Sequence, residues 1–478
     1  MEFFMAKHSK NIDMVNGSIV KGLILFSIPI MLSGMLQLLF NAADTVVVGR
    51  YGSENALAAV GSTGSLITLI VNLFMGLSVG SSVIAAHCYG AGDRKGVHQV
   101  VHTSILAAAV TGVFVGILGI AVSTPALRLM GTPNDVIEQA SSYMQIYFCG
   151  MPAMMIFNFG ASIMRSAGDT KRPLYYLCIS GVINIVLNLI LVIVFHLDVA
   201  GVAIATVVSQ VVSAVLILIH MSRSNEWYKL CIKKLKIYPD KLLKIVKIGL
   251  PAGLQGTVFS ISNGVLQSSI NSFGSIAMNG NSAAANLESF MYLSVNAFHQ
   301  SAVSFTGQNI GAGKYHRASK IMRTTLTMAM AVSILMGGIF LLAREELLHI
   351  YIPSSEEAVA FGIQRLLVIC TTYCLCAGTD VMTGVLRGMG SSLVPTLISV
   401  IGICGTRILW VWLIFPFYHT LTSLYISYPV SWFISFAAQF VCFIVVRKRL
   451  MRRYHAEKEY EEASKQPERL QEAAVISE

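Results

Sequence analysis

Residues 23–48, LILFSIPIMLSGMLQLLFNAADTVVV, decide the fold of this chain. The stretch is apolar for longer than the roughly 20 residues that an α-helix needs to cross a bilayer. Within it, several residues recur at steps of three and four positions, which places them on one helix face. They are Pro29, Ser33, Gln37, Asn41 and Asp44. The stretch therefore predicts a membrane helix with one polar face.

Asp44 is the most informative of these residues. A carboxylate within a membrane segment costs about 2.5–3.5 kcal/mol on insertion scales, so it normally faces a protein interior or a water-filled cavity. Asp44 is therefore a candidate for binding a coupling ion, either a proton or a Na⁺ held by oxygen ligands. Gln37 and Asn41 either belong to that site or only join neighbouring helices through hydrogen bonds.

The composition of the chain is that of a polytopic membrane protein. Of its 478 residues, 55% are hydrophobic and 12% are charged, whereas soluble domains carry roughly 25% charged residues. The mean hydropathy is +0.67. The apolar segments are 23–48, 57–86, 99–123, 136–162, 174–195, 200–221, 245–271, 280–307, 321–343, 360–385, 394–417 and 423–446. They predict an all-α protein with twelve transmembrane helices.

The net charge of +10 reflects membrane topology and not binding of nucleic acid. If the N-terminus lies inside the cell, 29 of the 34 Lys and Arg residues fall in inside loops or in the terminal segments. Such a bias places both termini in the cytoplasm. We therefore expect a multi-pass protein of the inner (plasma) membrane whose surroundings are lipid, with no nucleic-acid partner.

The chain contains an internal repeat. SIPIMLSG around Pro29 resembles GLPAGLQG around Pro251, 222 positions later, and Arg165 recurs as Arg387 at the same offset. Each half holds six predicted spans, so both halves enter the membrane from the same side and are parallel repeats. The predicted division is an N-lobe at 1–221, a basic cytoplasmic linker at 222–244, a C-lobe at 245–450 and a cytoplasmic tail at 451–478.

Further polar residues lie within the predicted spans, where they must meet one another or water. In the first half, Asn184 and Asn188 lie one turn apart in the fifth span and Thr206 lies in the sixth. Together with the carboxylate of the first span, they are the candidate ligands of the coupling ion. In the second half, the candidates for substrate contact are Asn263, Gln267, Glu288, Tyr292, Asp380 and Arg407. Asp380 either forms a structural ion pair with Arg407 or serves as a substrate or proton site.

The chain lacks the motifs of several enzyme classes. GAGDRKG at 90–96 is not a dinucleotide fingerprint, because its third glycine comes one position late and no βαβ unit surrounds it. There is no GxxxxGK(S/T) for ATP and no HExxH for a metal site. An intramembrane enzyme would need paired groups such as Asp44 and Asp380, which fall in different halves. We expect no enzyme activity, no cofactor and no metal apart from Na⁺ as a coupling ion.

Several segments resemble the multidrug and toxic compound extrusion (MATE) family of secondary transporters. They are FNAADTVVVGRYG (40–52), YGAGDRKG (89–96), MRSAGDTKRP (164–173), QNIGAGKYHRA (308–318) and LRGMGSSLVPT (386–396). TRILW (406–410) and YPVSW (428–432) are typical of a prokaryotic branch. The resemblance covers about residues 18–450. It implies two six-helix lobes around a V-shaped cavity, and antiport of organic, often cationic, compounds against H⁺ or Na⁺. We expect the protein to function as a monomer.

The resemblance also implies roles for individual positions. Asp44 matches the carboxylate of the first-lobe cavity, and Pro29 matches a proline at which the first helix is proposed to bend. Asn184 and Thr206 match polar residues that line that cavity. Asn188 departs from the pattern, since some members have an aspartate there, and Asp44 is therefore left without a second carboxylate.

One alternative of related architecture is a flippase or exporter of lipids or lipid-linked saccharides. A lipid substrate predicts a lateral opening lined by basic residues. The few arginines within the predicted spans speak against it.

Overall fold

The computed structural model describes residues 11–53, 55–353 and 355–476. Within these ranges the regular secondary structure is helical and includes no β-strand. The first half contains α1 (Ile19–Tyr51), α2 (Ala56–Gly90), α3 (Arg94–Leu129), α4 (Asn134–Cys149), α5 (Met151–Ser166), α6 (Lys171–Leu189) and α7 (Asp198–Arg223). The second half contains α8 (Pro239–Asn271), α9 (Ser275–Gly311), α10 (Tyr315–Leu342), α11 (Arg344–Tyr351), α12 (Glu356–Gly388), α13 (Leu393–Ser399), α14 (Thr406–Leu413) and α15 (Leu421–Ile476). The predicted all-α architecture is confirmed.

Each of the twelve predicted spans corresponds to one helix or to a pair of helices. Ten helices of the described ranges are long and apolar enough to cross a membrane. An eleventh span consists of α4 and α5, which are bent by 48° between Cys149 and Met151, where Pro152 lacks a backbone N–H. The predicted span at 280–307 lies in α9, which is too polar to meet the same criterion because it carries residues such as Glu288 and Gln300.

Two membrane helices include a π-helical turn. Ile190–Val194 follows α6, and Val400–Gly405 joins α13 to α14. At Gly402 the side chain of Ser435 occupies the place of a Cβ atom, so a larger residue would not fit there. A π turn shifts the register of the residues that follow it, and here it precedes Arg407.

The internal repeat is visible in the turns that end four helices. Four glycines at matched positions have positive φ: Gly92 at 71°, Gly313 at 69°, Gly168 at 90° and Gly390 at 85°. Glycine adopts this conformation without steric cost. After each glycine, a backbone N–H bonds to a carbonyl five residues earlier, as from Asp93 to Cys88 at 3.0 Å. This is the Schellman pattern that ends an α-helix.

The helices form two lobes that meet where α2 packs along α8 and where α1 packs along α9. At the end of the bundle that carries the basic loops, Gly76 of α2 touches the backbone of Gly249 and Gly253 in α8. Further along the same helices, Gly64 and Gly264 face open space. The lobes are therefore close together at one end and separated at the other, which is the V shape that the resemblance implies.

Residues 11–18, which precede α1, connect both lobes at this closed end. The backbone N–H of Ile12 donates to the carbonyl of Gly168 in the first lobe, at 3.3 Å. The carbonyl of Met14 accepts a hydrogen bond from the side chain of Asn309 in the second lobe, at 2.9 Å. The segment therefore stabilises the contact between the lobes.

The connection between the lobes, residues 224–238, lies against the first lobe. Trp227 stacks on Tyr89 with ring centroids 5.7 Å apart. Tyr228 is fully buried, and its burial raises the pKa of its phenol to about 12. The hydroxyl of Tyr228 accepts a hydrogen bond from Arg172 at 2.9 Å.

Candidate functional site

Three helices of the first lobe bring polar side chains together around Asp44 of α1. The Asp44 carboxylate accepts a hydrogen bond from the side-chain amide of Asn188 in α6. Thr206 of α7 lies within hydrogen-bonding reach of the same carboxylate. The amide of Asn188 also donates to Asn184, one turn earlier, at 3.4 Å. The structure thus places four of the predicted ion-binding residues in one cluster.

The contact between α1 and α6 depends on a glycine. The ring of Phe40 occupies the place that a Cβ atom would take at Gly181, so only glycine permits this approach. One turn after Phe40, Asp44 reaches Asn188, which is completely buried. Because burying a charged group without a hydrogen-bond partner is unfavourable, Asn188 stabilises the carboxylate within the lobe.

Two tyrosines of α4, which the sequence did not single out, adjoin this cluster. Tyr143 and Tyr147 stack with ring centroids 6.2 Å apart, and both interact electrostatically with Asp44. The hydroxyl of Tyr147 donates to the sulfur of Met154 at 3.9 Å. Tyrosines that only pack against other helices occur at the same positions of apolar spans. The sequence pattern therefore does not distinguish Tyr143 and Tyr147 from packing residues.

Gln37 and Asn41 take no part in the cluster. Both side chains are exposed, and neither is hydrogen-bonded to another residue of the described ranges. Gly34 of α1 contacts Leu293 of α9. Gln37 and Asn41 follow Gly34, on the part of α1 where the lobes diverge. The helix runs unbroken through Pro29, and bending at this proline stays a prediction.

A cavity of about 750 Å³ lies in the second lobe and reaches α2 and α5 of the first. Its volume lies within the range of roughly 300–1,000 Å³ that is usual for sites of small organic molecules. All six residues that the sequence proposes for substrate contact line this cavity: Asn263, Gln267, Glu288, Tyr292, Asp380 and Arg407. The Asp44 cluster lies apart from it.

A buried ion pair between Arg365 and Glu288 forms part of the cavity wall. The Nη2–Oε2 distance is 2.5 Å, and both side chains are largely buried. Arg365 also donates to Asn281 at 2.8 Å, and its guanidinium lies 5.3 Å from the ring centroid of Tyr428. Glu288 thus neutralises a buried arginine that the sequence did not place in the site.

The ion pair between Asp380 and Arg407, one of the two alternatives for Asp380, does not form. Arg407 instead donates to Asn263 and to Ser431, both at 3.2 Å. Its guanidinium lies 4.0 Å from the ring centroid of Tyr428. This alternative is wrong because α8 and α15 supply neutral partners to Arg407, whereas the Asp380 carboxylate borders the cavity from α12.

Two further arginines line the cavity. Arg387 donates to Gln255 at 2.9 Å and lies 3.5 Å from Nε2 of His299. Nδ1 of His299 donates to the backbone carbonyl of Asp380 at 2.7 Å, which leaves Nε2 as the acceptor. Arg165 enters from α5 of the first lobe, and its guanidinium has no hydrogen-bond partner among the described residues. The recurrence of Arg165 as Arg387 was the signal that could have identified both.

The MatE family model matches residues 29–190 and 251–413. The chain belongs to the MatE family. The two matched segments begin at Pro29 and Pro251, the pair of prolines that the internal repeat aligns. The family therefore confirms the duplicated, multi-pass transporter architecture that the sequence predicts.

Curated relatives of this MatE protein come from bacteria. The probable multidrug resistance protein YoeA of Bacillus subtilis is 26% identical over 82% of this chain and 86% of the relative. The FAD transporter of Shewanella oneidensis is 26% identical over 66% of this chain and 70% of the relative. Among solved structures, a MOP superfamily transporter from Pyrococcus furiosus superimposes with a TM-score of 0.85 at 22% identity, covering 93% of this chain and 99% of the other. The structural likeness shows that the fold is shared.

Proposed function

We propose that this MatE protein exports small organic compounds across the plasma membrane, as a monomer and without changing them chemically, in exchange for H⁺ or Na⁺. The observation that carries the proposal is the Asp44 carboxylate, held in the first lobe and separate from the second-lobe cavity. An antiporter needs one site for a small cation and one for its substrate. The name of the Bacillus relative, a probable multidrug resistance protein, supports organic compounds as the substrates.

The Asp44 cluster suits a small cation. Asp44 forms no ion pair with a cationic side chain of the described ranges. A buried amide oxygen beside it, Oδ1 of Asn188, has no hydrogen-bond donor within those ranges. A buried acceptor without a donor is unfavourable. This oxygen could coordinate Na⁺ or accept a hydrogen bond from a group reoriented by protonation of Asp44.

Coupling requires that the ion and the substrate stabilise opposite orientations of the lobes. We place the closed end, with its basic loops and residues 11–18, in the cytoplasm, so the described conformation is open to the outside. Since α1 contacts both α6 and α9, ion binding at Asp44 can alter how the first lobe packs on the second. Rocking of the lobes would then expose the cavity to either side.

Transport in proteoliposomes tests this proposal. A pH gradient and a Na⁺ gradient are imposed separately, and the movement of ethidium and of carboxyfluorescein is followed. Asp44→Asn should reduce gradient-driven transport about tenfold or more, because a charged hydrogen-bonding partner contributes roughly 1.5–3 kcal/mol. Asp240→Asn, an exposed carboxylate at the start of α8, is the matched control and should transport like the parent. Unchanged coupled transport in Asp44→Asn would contradict the proposal.

A second candidate, export of a lipid-linked saccharide, gains support from the cavity. Four arginines line it, more than the sequence alone suggested, and arginine recognises phosphate groups through bidentate hydrogen bonds. We place this candidate second because a lipid substrate also requires a lateral path between helices. Flipping of a fluorescent lipid diphosphate in the same proteoliposomes would favour it.

A further inference from the structure

The wall of the second-lobe cavity carries an excess of positive charge. Four arginines and two carboxylates line it: Arg165, Arg365, Arg387, Arg407, Glu288 and Asp380. One carboxylate is already engaged, since Glu288 lies 2.5 Å from Arg365. With both carboxylates ionised, the lining retains a formal charge of two positive units, because arginine remains protonated in proteins.

Neutral groups hold two of these arginines in place, and a third has no partner among the described residues. Arg407 is held by Asn263 and Ser431, and Arg387 by Gln255. Such partners orient a guanidinium but do not neutralise it. Arg165 has no hydrogen-bond partner in the described part of the chain, although it borders the cavity. Positive charge in a partly buried cavity is unfavourable unless an anion compensates it.

Five aromatic side chains also line the cavity. The rings on the cavity are those of Phe259, Tyr292, Tyr373, Tyr428 and Trp432. Tyr428 also lies beneath the guanidinium of Arg407, at 4.0 Å. Aromatic rings pack against flat ligands in offset or edge-to-face geometry. The cavity therefore offers apolar surfaces for a ring system next to cationic groups for an acid.

We propose that this cavity binds a water-soluble organic anion that carries an aromatic ring system and carboxylate or phosphate groups. The planar guanidinium matches both groups bidentately, and an organic cation would be repelled by the same charges at low dielectric. A dianion would neutralise the formal excess. The inference rests on the proposed transport function and narrows its substrate to a charge opposite to the cations that the sequence resemblance implies.

Two dyes of similar ring structure and opposite charge test the proposal. Binding of carboxyfluorescein, an anion, and of rhodamine 6G, a cation, is measured by fluorescence polarisation on the full chain in detergent, with empty micelles as the blank. Carboxyfluorescein should bind about tenfold or more tightly than rhodamine 6G, and added salt should weaken its binding. Tighter binding of rhodamine 6G would overturn the proposal.

Substitutions locate the binding to the cavity. Arg165→Gln removes a charge without stranding a partner, so it should leave the melting temperature unchanged while weakening carboxyfluorescein binding about tenfold. Arg407→Gln should weaken carboxyfluorescein binding at least as much, and Arg407→Lys should retain part of the affinity. Arg128→Gln, an exposed arginine of α3 outside the cavity, is the matched control. If folded Arg165→Gln and Arg407→Gln both bind the anion like the parent, the assignment is wrong.

The outcomes separate this inference from the proposed function. If carboxyfluorescein binds through the arginines but no gradient moves it, the anion site stands and antiport fails. If a gradient moves rhodamine 6G in an Asp44-dependent manner and the anion does not bind, antiport stands and the anion site fails. Geranyl diphosphate serves as a soluble lipid diphosphate. If it binds more tightly than carboxyfluorescein, the cavity favours a lipid substrate, and the proposal of a water-soluble aromatic anion is overturned.

Discussion

Asp44 and Glu288 are both carboxylates of the membrane region, but their surroundings differ. Glu288 lies 2.5 Å from Arg365, so its charge is compensated by a fixed cation. Asp44 has neutral neighbours, Asn188 and Thr206. A carboxylate with a fixed partner stabilises the fold, whereas one with neutral neighbours is free to bind and release a mobile cation.

Glu288→Gln should destabilise the protein by about 3–5 kcal/mol, because it leaves the buried Arg365 without its counter-charge. Thermal unfolding in detergent measures the effect. Removing both charges, with Glu288→Gln and Arg365→Gln together, should restore most of the lost stability. Glu346→Gln, an exposed carboxylate of α11, should melt like the parent. Equal stability of Glu288→Gln and Glu346→Gln would show that the ion pair contributes nothing.

At the scale of elements, α2 and α8 cross in close contact. Glycines on both helices allow backbone to touch backbone: Gly76 meets Gly249 and Gly253. Small residues serve this purpose in membranes, where van der Waals packing drives helix association. Where the two helices separate, Gly264 faces open space. One helix therefore provides both a tightly packed and an unpacked glycine.

Gly253→Ala should lower the free energy of unfolding by about 1–3 kcal/mol, since overpacking a tight contact forces the helices apart. The added Cβ would meet the backbone carbonyl of Leu73, which cannot move aside as a flexible side chain would. Gly264→Ala is the matched control on the same helix. It should be neutral or stabilising by up to about 1 kcal/mol, from helix propensity alone. Thermal melts that rank the two variants in the reverse order would refute this account of the interface.

At the scale of the whole molecule, the lobes are held together at one end by contacts that rocking must break. Ser27 of α1 and Ser301 of α9 face each other across this interface, with their hydroxyl oxygens 2.8 Å apart and buried. Gln308 of α9 donates to the carbonyl of Ser166 at 2.7 Å, and residues 11–18 contact both lobes. Alternating access, as proposed, requires these groups to separate in every cycle.

A disulfide between Ser27→Cys and Ser301→Cys should lock the closed end, because the short separation of the two hydroxyls suits an S–S bond. Oxidation should abolish gradient-driven transport, and a reductant should restore it. Each single substitution under the same oxidant is the control, since the nine native cysteines are free. Transport by the cross-linked protein at the parent rate would show that the lobes do not separate here.

The sequence by itself determined the helical membrane architecture and its duplication. Hydropathy and loop charge are properties of local stretches to which the bilayer responds directly, and the repeat is a match of the chain with itself. The sequence also identified many of the residues that gather in the two sites, because polar groups in a membrane must find partners or water. Asp44 and Asn188, in particular, were expected near each other.

Only the tertiary structure decided which polar groups actually meet. Gln37 lies on the same predicted helix face as Asp44, yet it is exposed because α1 diverges from the second lobe beyond Gly34. Arg407 is held by Asn263 and not by Asp380, and Arg165 reaches a cavity built mostly by the other lobe. The physical reason is that residue spacing defines a face within one helix, whereas partners and cavity charge depend on how separate helices pack.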